Sequence, residues 1–288
     1  MKTLKEFLTD AQQDHWATGH FNASESDHFR AIAEACREVG APAIIGVSEG
    51  ERAHIGLLEA VALRDALHRE FGILVFLNAD HSKSVESAKA AIDAGFDSTH
   101  IDLSVLPFEE NVIGTKQIVD YARSRSVTLS IEGELGYLRG ESKVQHEKIQ
   151  VSREDYTKPE DARVFVEKTG VDRLAIVVGN IHGISLDEPD LDIERIRQIR
   201  EIVLANVALV LHAGSGIPDE QIKAAIEAGI ANIHINTDLR VAFAKELRNA
   251  LAQHLDETAM YKLDASAMNA MRQVVKEKLL LFGAANRI

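Results

Sequence analysis

The chain has 288 residues, 45% apolar and 27% charged, which supports a large core and excludes a disordered polymer. Its formal charge of −13 argues against a nucleic-acid or membrane-surface binder, since both need a basic face. The one cysteine, Cys36, rules out an internal disulfide and suits a reducing compartment.

The chain opens with MKTLKEFLTDAQQDHW, an amphipathic stretch with acids. It has no apolar run or small-residue cleavage site of the signal-peptide kind, so it reads as an N-terminal helix. No segment reaches the roughly 18 apolar residues of a membrane span, and a cytoplasmic protein is expected. Strand candidates then follow at 19–23, 41–49, 72–80, 98–104, 127–135, 173–180, 208–215 and 231–238. Between them lie stretches of helical period at 26–39, 57–70, 84–94, 110–124, 160–169, 191–204 and 219–228, with two more at 239–254 and 265–281. Cys36, within the first of these, reads as a small core residue.

Several strands are apolar throughout, as happens when crossover helices bury both faces. Pro159 and Pro218 open helices, and Gly40, Gly95, Gly170 and Gly229 fall where a left-handed C-cap is wanted. Eight β/α units in this length predict an α/β (β/α)8 TIM barrel, one domain over 1–288 with extra N- and C-terminal helices. An open doubly wound sheet would carry a Gly-rich turn after its first strand, and none is present. The longest irregular stretch, about 137–158, is polar and is the candidate lid.

In such a barrel the C-terminal strand ends form the site. Those ends carry Asn22, Ser48, Asp80 with His81, Asp102, Glu132 with Glu134, His182, His212 with Ser215, and Asn236 with Asp238. Histidines at three rim positions suit a zinc ion or a similar divalent cation with one position left open. A hydrogen-bonded structural role for each remains the alternative, because the three are far apart in sequence. HAGSGIPDE and INTDLR each run from a strand end into a helix start, where backbone N–H groups commonly bind phosphate. No Lys lies inside any of the eight strands, which counts against a Schiff-base mechanism.

Read in order, HFN (20–22), ADH (79–81), IDLSVLPFEEN (101–111), IEGELG (131–136), YTKPEDARVFVEKTGVDRLAIVVGNIHG (156–183), LHAGSGIPDEQI (211–222), NTDLR (236–240) and FGAANR (282–287) resemble the class II, metal-dependent ketose-bisphosphate aldolases. The resemblance covers nearly the whole chain. It implies reversible cleavage of a ketose (bis)phosphate to dihydroxyacetone phosphate and an aldehyde such as glyceraldehyde 3-phosphate. It makes His81, His182 and His212 ligands of one catalytic Zn2+, with Asp102 and Glu134 able to hold a second divalent ion. Asp80 becomes the acid/base, and Glu141 a further proton-transfer residue. Gly183, Gly214, Ser215, Asn236 and Thr237 resemble the phosphate-binding loops, with a monovalent cation beside Gly183, while Asn22 and Ser48 resemble substrate contacts. A homodimer or homotetramer acting on a small sugar phosphate is implied. Another metal-dependent sugar-phosphate barrel enzyme, or an impaired sugar-phosphate-binding homologue, is the alternative.

The chain also departs from that pattern. After strand five it reads RGESK, keeping Glu141 but placing Ser142 and Lys143 where acids are usual. Ala213 replaces a glycine, and His234 and Asn236 replace Asn and Asp or Ala. The Arg-containing segment before the last helix, which in relatives reaches the far phosphate of a neighbouring subunit's substrate, gives way to AMYKLDAS with Lys262. His20 and His100 stand where small or apolar residues are commoner. These histidines either reshape the pocket, so that the substrate need not be a bisphosphate, or serve as packing residues.

Overall fold

The computed structural model describes residues 2–146, 149, 151–184 and 190–288. Its centre is a closed barrel of parallel strands: β1 (Thr18–Asn22), β2 (Ala43–Val47), β3 (Val75–Ser82), β4 (Ser98–Ile101), β5 (Ser130–Leu135), β7 (Arg173–Ile176), β9 (Ala208–Leu211) and β10 (Ile230–Ile235). Around the ring the order is β1-β10-β9-β7-β5-β4-β3-β2. Closure is made where the first strand meets the last, Thr18 beside Asn232 and His20 beside His234. Helices α2 (Ser26–Val39), α4 (Leu57–Phe71), α5 (Val85–Ala94), α6 (Phe108–Arg125), α7 (Pro159–Thr169), α8 (Ile193–Ile202) and α9 (Asp219–Glu227) make the crossovers. This is the (β/α)8 architecture, reached because apolar strands need helices on their outer faces.

The extra helices lie at both ends of the chain. α1 (Leu4–Gln13) starts on a capping box between Thr3 and Glu6 and sets Phe7 against Phe76 at the start of β3, ring centroids 6.0 Å apart. α10 (Thr237–Gln253), the short α11 (Met260–Leu263) and α12 (Ala265–Leu281) follow the last strand. Leu279 and Met271 on α12 are fully buried. Among the described residues, no helix is long and apolar enough to cross a membrane.

The strands end earlier than their apolar runs. The stretches 173–180 and 208–215 give only Arg173–Ile176 and Ala208–Leu211, because the residues beyond leave the ladder to build the mouth. Two short strands, β6 (Gly140–Val144) and β8 (His182–Ile184), pair as a separate two-stranded layer. GESKV and HGI are too polar and short to announce a strand. Part of the expected lid, 137–158, is therefore β6, while 147, 148 and 150 lie outside the described residues. Helix α3 (Glu49–Ile55) is a further insertion, begun by a capping box between Ser48 and Glu51.

The barrel interior is polar beneath the mouth. Arg173 is fully buried and pairs with Glu132 at 2.9 Å. Asn78 Oδ1 accepts from Arg173 Nη2 at 2.9 Å and from Ser98 Oγ at 2.7 Å. With its oxygen so engaged, Asn78 donates through Nδ2 to His20 Nε2 at 3.0 Å. Gly46 makes room for that imidazole: a Cβ at this position would lie 2.0 Å from His20 Cε1. Asn232 donates to Thr18 Oγ1 at 2.9 Å, so its oxygen accepts from His234 Nε2 at 3.0 Å. Each buried amide orientation is thus fixed by its partners.

Candidate active site at the barrel mouth

A cavity of about 320 Å³ opens over the C-terminal strand ends, walled by residues that include Asn22, Ser48, Asp80, His81, His182, Gly183, His212, Ser215, Asn236 and Thr237. At its floor His212 Nδ1 and His81 Nε2 face each other at 3.1 Å. The other nitrogen of each ring is already committed. His212 Nε2 donates to Glu132 Oε1 at 2.6 Å, and His81 Nδ1 donates to Asp102 Oδ2 at 2.8 Å. When both rings are neutral the facing nitrogens carry lone pairs, which repel unless a cation lies between them. Burial works against charge on His81, but Asp80, the Asp102 bond and Glu134 raise its pKa, so a proton on its Nε2 donated to His212 Nδ1 is one way to satisfy the pair. A proton or a metal ion would satisfy the pair, and carboxylates behind imidazoles are the usual support of a metal-binding histidine.

Strain marks the same place. His81 and Ala213 are both in the left-handed region, at φ 44° and 57°. Such residues persist where the surrounding structure holds them, often at functional sites. Asn180 Nδ2 donates to the backbone carbonyl of His212 at 3.1 Å, tying the loop after β7 to the loop after β9.

The acids of the floor are ionised. Burial works against charge on Asp80, but the charge of His81 and the imidazoles of His100 and His234 close to it hold its carboxyl well below the usual range. Glu132 is also held low against burial, by Arg173 first and then His100 and His234. Asp102 is held low against burial chiefly by the His81 bond. Burial followed by the charge of His81 pulls His182 down to about 3. Burial, with His234, holds His212 well below the ordinary imidazole value. His100 goes the other way: burial is outweighed by Glu132, Asp80 and Glu134, and it is pushed up to about 10.

The sequence-predicted residues are brought together unevenly. His81 and His212 meet, with ring centroids 4.7 Å apart. His182, carried on β8, stands further out at 5.1 Å from His81, and it joins none of the close sets of ligating atoms among the described residues. One such set is Asp80, His81, His100 and His212; another is His81, His100, Asp102 and Glu134. The second contains both carboxylates expected to hold a further ion. Asp102 and Glu134 lie behind His81 rather than in the cavity wall. Gly214 is also behind the wall, where a Cβ would meet Ile233 Cγ2 at 2.6 Å. Ser215 Oγ accepts from the backbone N–H of Asp238 at 3.1 Å, linking the two phosphate-loop candidates. Glu141 is not brought to the site: its side chain is 74% exposed and pairs with Lys143 along β6 at 2.7 Å.

Gly183 is required by the β6–β8 pairing. It sits at φ 97°, and a Cβ there would lie 2.2 Å from the Lys143 carbonyl oxygen. His20, His100 and His234 form a second layer under the mouth. His20 stacks on His234 with centroids 3.6 Å apart, and His234 lies 3.9 Å from His212. His234 reaches the cavity wall, whereas His20 and His100 are fully buried.

Sequence reasoning missed Ser24, Gly50, Glu51, Ser142 and Arg240 as wall residues. Ser48 and Glu51 were visible as a capping-box pair. Ser142 depends on β6 folding over the mouth, which no local pattern signals.

The fold and the floor together define a (β/α)8 enzyme whose polar mouth is suited to a divalent cation. The family described as class-II fructose-bisphosphate aldolase matches residues 2–287, and the chain belongs to that family. It is an aldolase, a carbon–carbon lyase of carbohydrate metabolism, and its family is metal-dependent. It is 38% identical to proteins named fructose-bisphosphate aldolase in Staphylococcus aureus (strain N315) and Staphylococcus epidermidis (strain ATCC 12228 / FDA PCI 1200), covering 99% of this chain and 98% of each relative. The crystal structure of the YdjI aldolase from Escherichia coli K12 is similar at 31% identity, with a TM-score of 0.83 over 98% of this chain and 97% of that one. Fructose-bisphosphate aldolase from Campylobacter jejuni, at 21% identity and TM-score 0.79 over 99% of this chain and 95% of that one, shares the fold.

Proposed function

We propose that this chain is a zinc-dependent aldolase that reversibly splits a ketose phosphate into dihydroxyacetone phosphate and an aldehyde. The observation that carries the reading is the pair of imidazole nitrogens held 3.1 Å apart, each ring backed by a carboxylate on its other nitrogen. Nitrogen donors of this kind fit zinc or a similar divalent ion. His81 and His212 would hold it with His182 as third ligand, and Asp102 and Glu134 would serve a second position. A bound divalent cation supplies Lewis-acid stabilisation of the negative charge that develops on the ketose oxygens.

The remaining steps belong to side chains of this chain. Asp80 Oδ2 accepts from Asn22 Nδ2 at 3.0 Å, and Asn22 also donates to Glu51 Oε2 at 3.0 Å. That bridge fixes the Asp80 rotamer and leaves Oδ1, buried and without a partner, as the proton-accepting atom. Ionised as it is, Asp80 takes the proton from the hydroxyl on the carbon that becomes the aldehyde. The bond from that carbon to its neighbour breaks, its electrons pass toward the ketose carbonyl, and a proton taken up from solvent at that neighbour carbon completes dihydroxyacetone phosphate. In the reverse direction Asp80 returns the proton.

Gly183, Gly214, Ser215, Asn236 and Thr237 are the proposed phosphate loops, where α10 begins, and a monovalent cation belongs beside Gly183 in this reading. Ser48 contacts the sugar. Glu141 is proposed only as a proton-transfer residue that β6 would have to bring inward. The activity is carried by one domain, in a cytoplasmic homodimer or homotetramer. The test is a coupled triose-phosphate assay on several ketose phosphates. Cleavage that stops with chelator, returns with zinc and is not trapped by borohydride supports the reading. Metal-independent cleavage, or borohydride trapping, overturns it.

A further inference from the structure

The charges in the cavity wall are separated. Arg240, one turn into α10, lines the cavity on the side of the candidate phosphate loops and donates through Nη1 to the Ser142 carbonyl at 3.0 Å. Beyond it a second hollow of about 460 Å³ continues along α10, lined by Lys143, Lys245 and Arg248 as well as Arg240, with no acid among its described lining residues. In a chain of net charge −13, that run of cations is exceptional. Its place beside Thr237 directs an anion to this side.

The other side of the cavity is built by the loops after β1 and β2, where Ser24, Ser48, Gly50 and Glu51 form the wall. These groups are hydroxyls, backbone and one carboxylate. Glu51 is locked in place: Oε2 accepts from Ser48 N at 2.7 Å and from Asn22 Nδ2 at 3.0 Å. Asp80, the proton acceptor, lies next along the same side, bonded to the same Asn22 amide. Among the described residues of this wall, Arg240 is the one cationic side chain. Lys262 does not reach the cavity in this chain. It is half exposed and paired with Glu257 at 2.8 Å.

We infer that the site takes a ketose carrying one phosphate, at the Arg240 end, and releases a neutral polyhydroxy aldehyde from the Glu51 end. The inference rests on the aldolase reading and narrows its substrate class. A sugar hydroxyl can donate to Glu51 and exchange bonds with Ser24 and Ser48. A second phosphate there would face the Glu51 carboxylate with no cation from its own chain among the described wall residues, and like charges in close contact are disfavoured.

The experiment compares the zinc-loaded enzyme on matched pairs, ketohexose 1-phosphates against the corresponding 1,6-bisphosphates. The same preparation is titrated with a hexitol 1-phosphate and a hexitol 1,6-bisphosphate, which bind without being cleaved. The expected result is a kcat/KM and an affinity higher for the singly phosphorylated compound by roughly tenfold or more, the scale of one unfavourable charge contact. Glu51→Gln keeps the helix-capping geometry and is expected to shift the ratio several-fold toward the bisphosphate. Arg240→Met is expected to weaken both compounds alike. Equal or tighter binding of the bisphosphate overturns the inference, as does a ratio that Glu51→Gln leaves unmoved. If no ketose phosphate is cleaved at all, the aldolase reading fails, while the hexitol titration still decides the charge preference.

Discussion

Glu132 is the residue on which the floor of the site depends. Its Oε2 pairs with Arg173 at 2.9 Å and its Oε1 accepts from His212 Nε2 at 2.6 Å, with all three side chains essentially buried. In Glu132→Gln the amide oxygen can serve only one of these donors. If it faces Arg173, the amide N–H2 meets His212 Nε2, and the imidazole must move its proton to Nδ1. That removes the lone pair directed at His81. Arg173 in turn keeps only neutral acceptors, Asn78 at 2.9 Å and Asn232 at 3.4 Å. Breaking a buried ion pair from one side costs about 3–5 kcal/mol. At about 2–3 °C per kcal/mol for a chain of this size, Tm falls by about 6–15 °C. Loss of a carboxylate behind a metal-binding histidine weakens metal affinity by about 10–100-fold. Thermal melting of the metal-free protein and a zinc titration read the two effects separately. Adding Arg173→Met removes the orphaned charge, so the double variant recovers part of the lost Tm but none of the metal affinity. The reasoning is refuted by a Glu132→Gln protein that melts within about 1 °C of the parent and binds zinc equally well.

Other consequences follow from the same geometry. Asp80→Asn removes the proton acceptor but no proposed metal ligand, so turnover should fall by about 10²–10⁴-fold with metal content unchanged by elemental analysis. Ala213→Gly relieves a left-handed alanine at φ 57°. It should be neutral or stabilising by up to about 1 kcal/mol in chemical denaturation, because the relief offsets the extra freedom of the unfolded chain; a clear loss of stability would count against strain at this position. Burial pushes the Cys36 thiol up, so mass spectrometry should find it unmodified by iodoacetamide at pH 8 in the native protein and fully modified after unfolding.

Much of the fold was legible because its signals are local. Continuous apolar runs marked the barrel strands, and glycines such as Gly40 and Gly170 sit in left-handed C-caps as expected. The rim residues followed from strand ends, which is why Asp80, His81 and His212 were found from position alone. The layer beneath was not legible. Arg173 opens a strand and gives no hint that its guanidinium crosses the barrel to Glu132 and Asn78. His100 and His234 read alike in the sequence, each either reshaping the pocket or packing. Only the packed structure separates them, with His100 fully buried beside Glu134 and His234 at the cavity wall. Glu141 shows the opposite limit: its sequence neighbours suggest a site residue, but β6 turns its side chain to solvent. That orientation depends on pairing with β8, more than thirty residues on, and no local pattern encodes it.

The central claim concerns where a metal ion sits. Crystals of the zinc-loaded protein, with data collected on both sides of the zinc absorption edge, locate it directly. The account predicts one strong anomalous peak per chain between His81 and His212, completed by His182, with nitrogen ligands at about 2.0–2.1 Å. A peak elsewhere in the barrel, or full aldolase activity in crystals and solution shown to hold no divalent ion, would contradict it.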